Sequence, residues 1–194
     1  RAHSPQDLQL ALATGIVEVL IAPAELARQG RLSLAECLSL ARSARELKLS
    51  PVLEWDVLMP QALYPQTLKL VRDLDWSLFD AVRVLDPGAL HFLKQCPEVQ
   101  ALQLVLEHGH HNPEAIQSWA RAGGLKVKRL VISPELTLPE LPEALTYPKS
   151  AGLELEAQVR GRILLFTSPR QLLSAALGEE QEVREALGES EESP

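Results

Sequence analysis

The chain has 194 residues, 46% of them apolar, and a formal net charge of −7. That length supports one domain with a sizeable core and argues against two; no run approaches the roughly eighteen uninterrupted apolar positions of a membrane span, and Arg1–Gln6 lacks the apolar stretch of a secretory signal, so a soluble, cytoplasmic protein is expected. The negative balance argues against capture of nucleic acid, which needs clustered Lys and Arg, although Glu179, Glu180, Glu182, Glu185, Glu189, Glu191 and Glu192 supply much of it and the body is close to neutral.

In chain order, Val17–Ala22 is a short β-rich apolar run. Ser33 then precedes Leu34, Cys37, Leu38, Ala41 and Ala44, which share one helical face at spacings of three and four. Ser33 and Glu36 have the Ser-x-x-Glu spacing of a capping box. Val52–Leu58 is the second strand candidate, and Pro65–Leu74 a helix that brings Leu68, Val71 and Leu74 together. Ala81–Leu85 follows as a third strand, and Pro87 opens a helix at its first turn, where a missing N–H costs little. After a fourth strand, Ala101–Leu106, Asn112 and Pro113 read as N-cap and first residue of a helix carrying Ala115, Ile116 and Trp119. Gly123–Gly124 ends it. Val127–Ile132 is the fifth strand, and Leu153–Phe166 the sixth, interrupted by Gly161.

Strands alternating with helices imply right-handed crossovers and a mainly parallel sheet. No glycine-rich phosphate loop follows any strand, which counts against a nucleotide-binding open sheet. We therefore expect an α/β fold: a (β/α) barrel, incomplete and TIM-type, with about six parallel strands over residues 1–177. Residues 178–194 read as an acidic, disordered tail.

Several segments carry a family resemblance. Asp80-Ala81-Val82-Arg83-Val84-Leu85-Asp86-Pro87-Gly88 resembles a strand and turn reading "DAVIVQDPG". Val127-Lys128-Arg129-Leu130-Val131-Ile132-Ser133-Pro134-Glu135-Leu136-Thr137-Leu138 is similar to "VKRVVLARELSL". Asp7-Leu8 through Val19, Leu153 through Gly161 and Ser168 through Ser174 follow in order, the last two resembling "LEVFVHG" and "SGRCLLS". Together they resemble the N-terminal domain of the collagenase-like peptidases, unassigned peptidase family thirty-two, over almost the whole folded part.

The departures carry their own implications. The family's opening strand reads like "ELLAPAG", whereas no apolar run precedes Ser4, so the first barrel strand is expected to be lost or to lie outside this chain. The cysteines that members carry in the last motif, which help hold an iron–sulfur cluster in relatives that hydroxylate RNA bases or quinone precursors, fall on Leu164 and Gln171. Neither replaces a thiolate, so no such cluster, and no other cofactor, is expected. The family histidine before Gly161 is Arg160 here.

In a β/α barrel the functional face lies at the carboxyl ends of the strands. There the sequence offers Glu54 and Asp56, Asp86, Glu107 and His108, and Glu135, with Arg160, Arg162 and Arg170 from the last segment. We take Glu54, Asp56, Glu107 and His108 as the catalytic candidates: a mouth of carboxylates and a histidine suits acid–base work or a divalent metal. The plainer alternative is that strand ends are polar by default, and Asp86 before Pro87-Gly88 is a turn and cap residue by type. Arg160, Arg162 and Arg170 suit an anionic ligand; equally, Arg160 and Arg162 could pair inward with Glu154, Glu156 or Glu107. His108-Gly109-His110-His111 matches no established metal spacing, and His111 reads as a surface residue. Ser133 and Ser168 have no identifiable histidine or acid partner, no nucleophile elbow is present, and Cys37 and Cys96 read as buried thiols on helices.

Three functions stay open at this stage. The first is a degenerate family member acting by binding, as a homo-oligomer or beside a complete paralogue that covers open barrel edges. The second is a metal-dependent hydrolase or peptidase using the acidic mouth. The third is an accessory factor in RNA hydroxylation, which the acidic balance disfavours.

Overall fold

The computed structural model describes residues 1–107 and 110–158. The chain divides into a unit Arg1–Ile163, which holds all of the described residues, and a second unit, Leu164–Pro194, which lies outside them.

Every predicted strand is present. β1 (Glu18–Ile21), β2 (Ser50–Trp55), β3 (Ala81–Val84), β4 (Leu102–Val105), β5 (Val127–Val131) and β6 (Glu154–Glu156) form one sheet in chain order, and each neighbouring pair is parallel. The part of the sixth predicted strand beyond Gln158 lies outside the described residues. A doubly wound sheet reverses its strand order at a switch point. Here the order never reverses, as in a barrel.

Side chains on the concave face show that the sheet curls. Strands lie about 4.8 Å apart, so β1 and β5 would stand about 19 Å apart in a flat sheet. Instead Arg129 Nη1 on β5 donates to Glu18 Oε1 on β1 at 2.5 Å. Gln103 on β4 donates to Glu18 at 3.2 Å, and Arg83 on β3 to Glu156 on β6 at 2.6 Å. The structure is a curled half-barrel whose concave face carries a polar layer.

The opposite face builds the core. Val19 and Ile21 of β1, Leu53 and Trp55 of β2, Val82 and Val84 of β3, Leu102 and Leu104 of β4 and Leu130 of β5 belong to one apolar cluster with the helices. These helices are α1 (Pro5–Ala13), α2 (Leu34–Glu46), α3 (Tyr64–Val71), α4 (Pro87–Gln95) and α5 (Pro113–Gly123), with the short α6 (Leu141–Ala144) and α7 (Thr146–Ser150). Fully burying a Leu, Ile or Val side chain is worth about 1.5–3 kcal/mol, so this layer dominates the stability.

Local signals set the helix ends. Ser33 Oγ accepts from Glu36 N while the Glu36 carboxylate accepts from Ser33 N, completing the predicted capping box. Asn112 caps α5 through Ala115 N at 2.9 Å, with Pro113 in first position. On α2 the buried face is Leu34, Cys37, Leu40, Ala41 and Ala44. Leu40 thus takes the place the sequence reading gave to Leu38, which is half-buried beside the cluster; both spacings fit a helix, and only the angle at which it meets β1 and β2 chooses between them.

Candidate functional site

The carboxyl ends of β1, β2 and β4 converge through one loop. After β1 the chain turns at Pro23 and returns at Leu32, closed by a parallel bridge between them and by Ala24 N donating to the Leu32 carbonyl at 2.8 Å. Gly30 lets this turn close: a Cβ there would lie 2.1 Å from the Pro23 carbonyl oxygen. The Leu26 carbonyl accepts from Asp56 N and Val57 N, both at 3.1 Å, which seats the loop on the end of β2.

That seating aims Arg28 at two candidate residues. Its backbone N–H and Nε donate to Asp56 at 2.8 and 3.0 Å, and its two terminal nitrogens donate to Glu107 at 3.0 and 3.2 Å. Burial works against the Arg28 charge, but the bonds and charges of Glu107 and Asp56 outweigh it and hold its pKa above the ordinary value. Glu54, only 3% exposed, is gripped in two-pronged fashion by Arg1, whose Nε donates to one carboxylate oxygen and whose Nη2 donates to the other at 2.8 Å. Arg1 also reaches Gln29 at 3.2 Å.

The structure therefore brings Glu54, Asp56 and Glu107 to one mouth and gives each an arginine. Such paired, charge-assisted bonds occupy carboxylate lone pairs that a metal would need. Among the described residues, no three His, Cys, Asp or Glu side chains come together as a metal-holding group. The other candidates, His108, Arg160, Arg162 and Arg170, lie outside the described residues, as does Ser168. Glu154 and Glu156, considered as partners for Arg160 and Arg162, bind Arg129 and Arg83.

Asp86 is a cap and a clamp. It accepts from Ala89 N at 2.8 Å at the start of α4 and from Met59 N at 3.0 Å. Tyr64 Oη donates to the Gly88 carbonyl at 2.9 Å, completing the clamp between α4 and the β2–α3 connection. A Cβ on Gly88 would meet Tyr64 and Asp86 at 3.0 Å, which accounts for the Asp-Pro-Gly sequence.

The expectation about Ser133 needs correction. Ser133, expected to have no histidine partner, is buried with its Oγ 3.2 Å from His111 Nε2. His111 is tied down as well, its Nε2 lying 3.0 Å from Glu135 Oε2. The loop after β4 folds across the end of β5, a contact that sequence separation concealed. It does not form a relay, because serine and carboxylate meet the same ring nitrogen, whereas a triad uses opposite ones. His110 instead stacks on Trp119, with ring centres 5.2 Å apart.

Neither thiol lies at the mouth. Cys37 sits in the core on α2, its pKa pushed up to about 12 by burial and then by the charges of Glu25 and Glu36. Cys96, half-buried at the end of α4, contacts the Phe92 carbonyl at 3.5 Å. Missed at the sequence level were Arg1 and Arg28, from loops that carry no periodicity, and the concave polar layer. That layer did leave a signal: Glu18, Arg83, Gln103 and Arg129 are charged or amide residues inside otherwise apolar strand runs.

Fold and site together define an open (β/α) barrel domain whose strand-end carboxylates are compensated by arginines. The family model for peptidase family U32 matches residues 3–186, and the chain belongs to that family. A solved structure of the U32 peptidase Mk0906 is similar in fold, with a TM-score of 0.51 at 16% identity. The match covers 73% of this chain and 60% of that one, so this chain spans less than two thirds of that relative. No curated protein matches the sequence significantly.

Proposed function

We propose that this chain is a binding module of family U32, in which the strand-end carboxylates serve as counter-ions that rigidify the mouth and catalysis is not its own task. The observation that carries this reading is the arginine pairing of Glu54, Asp56 and Glu107. A metal-dependent hydrolase built on this mouth would need carboxylate oxygens with open coordination positions. Freeing them would leave Arg1 and Arg28 unpaired in part-buried sites, at a cost of several kcal/mol. The cluster ligands of relatives fall on Leu164 and Gln171, outside the described residues, and Cys37 is a core thiol, so the reading expects no iron–sulfur cluster.

Binding occurs on the open side of the half-barrel. The outer edge of β1 is met, among the described residues, at Ala2, which bridges Ile21 and donates from its N–H to the Leu20 carbonyl at 2.8 Å. Beside it runs a groove of about 450 Å³ lined by Leu10, Ile16, Glu18, Leu20, Arg83 and Glu156. Leu10 and Val17 are 64% and 74% exposed. A strand edge flanked by exposed apolar side chains favours a partner, and the reading assigns that place to a second copy of the chain or a complete family member.

Elemental analysis for iron, zinc, manganese and acid-labile sulfide on protein purified without oxygen tests the first half of the reading. The expected result is metal well below one equivalent. A stoichiometric divalent ion that disappears in Asp56→Asn would restore the hydrolase.

A further inference from the structure

At the opposite end of the strands from the mouth lies a second groove, of about 470 Å³, between α5, α7 and the starts of β5 and β6. Its wall carries Arg121 and Lys128, and its apolar surface comes from Leu125, Val127, Tyr147 and Leu153. We propose that this groove docks an acidic peptide segment of a partner protein, carboxylates against Arg121 and Lys128 and an apolar side chain against Leu125 and Tyr147.

Among the described residues, this groove sets two cations without a carboxylate partner beside an exposed apolar surface. Arg1, Arg28, Arg45, Arg83 and Arg129 each hold a carboxylate. Arg121 and Lys128 hold none among the described residues, although the chain carries seven more acidic than basic side chains. Arg121 lies over the Tyr147 ring with its guanidinium carbon 5.4 Å from the centroid. Stacking of that kind orients the planar fork and leaves its N–H edges free for a carboxylate, the geometry in which Arg binds in two-pronged fashion. Leu125 at the rim is 97% exposed, an apolar contact with nothing over it. The size suits a few side chains, since small-ligand pockets run to about 300–1,000 Å³.

Nucleic acid fits less well. A polyphosphate gains affinity from many neutralised phosphates, and this groove offers two cations on a protein of net charge −7. Two carboxylates and one apolar side chain match the two cations and the apolar lining of the groove.

The test uses the full chain and a fluorescein-labelled short peptide alternating Glu and Leu, followed by fluorescence anisotropy at low ionic strength. The groove account expects saturable binding that weakens about ten-fold or more in the double variant Arg121→Ala, Lys128→Ala, a loss of roughly 1.4 kcal/mol. It also expects unchanged binding in Arg72→Ala, an exposed cation on another face, and loss of binding when Gln replaces Glu in the peptide. Both substituted residues are exposed, and circular dichroism checks that the variants fold; Lys128→Glu, which reverses the charge, gives a second reading. The proposal is overturned if the peptide does not bind, if the double variant binds as tightly as the parent, or if a single-stranded RNA oligonucleotide displaces the peptide at lower concentration than unlabelled peptide does.

Discussion

Arg28 reaches carboxylates from two strand ends, and the energetics of that arrangement are asymmetric. Taking the ions out of water costs nearly as much as their attraction returns, yet removing one partner strands the other in a site that cannot hydrate it. Arg28→Ala leaves Asp56, 3% exposed, without its counter-ion. The expected loss is about 3 kcal/mol of unfolding free energy in urea titration, and adding Asp56→Asn in the same chain should recover part of it. Additive losses would show that the pair is not coupled. Cys37 makes a second residue-scale prediction. Its thiol pKa is raised in the fold from 9.0 to about 12, so the neutral form is favoured by folding. The stability this contributes is fully present below the unfolded pKa and is lost as pH rises from about 9 towards 12. Wild type should therefore lose more stability than Cys37→Ala over that range, and parallel curves would exclude the effect.

At the scale of elements, the loop between β1 and α2 decides what the mouth looks like. Gly30→Ala places a Cβ where the Pro23 carbonyl stands, so the turn must open and Arg28 must retreat from Asp56 and Glu107. We expect a loss of about 1–3 kcal/mol, with faster proteolytic cleavage between Pro23 and Leu32. Unchanged stability would mean that the loop relaxes freely. The same elements show what the sequence made legible. Strands buried on one face by helices read as short apolar runs, helices as three-and-four spacings, and Ser33, Asp86 and Asn112 as caps, because each signal is local. Glu54, Asp56 and Glu107 were placed at strand ends by the same logic. Their partners were not legible: Arg1 meets Glu54 across 53 positions and Arg28 meets Glu107 across 79, and only the folded arrangement of strands and loops brings such positions together. The choice of Leu40 over Leu38, and the meeting of His111 with Ser133, are hidden for the same reason.

For the molecule as a whole, Glu18 and Arg129 tie the first strand to the fifth across the concave face. Burial opposes the Arg129 charge, but the bonds from Glu18 and Glu154 outweigh it and raise its pKa. A double-mutant cycle on Arg129→Met and Glu18→Gln should show a coupling of about 1 kcal/mol or more; zero coupling would mean that the curl is set by helix packing alone. A sheet curled by its own side chains still has an outer side of β1 that the described residues meet only at Ala2, and the binding account rests on what covers it. The direct measurement is sedimentation velocity over a range of protein concentrations, alone and mixed with a complete family U32 protein. The account predicts a reversible self-association or a mixed complex, abolished by Ile16→Asp and Val17→Asp in protein that remains folded. A species that stays monomeric at every concentration and in every mixture would contradict it.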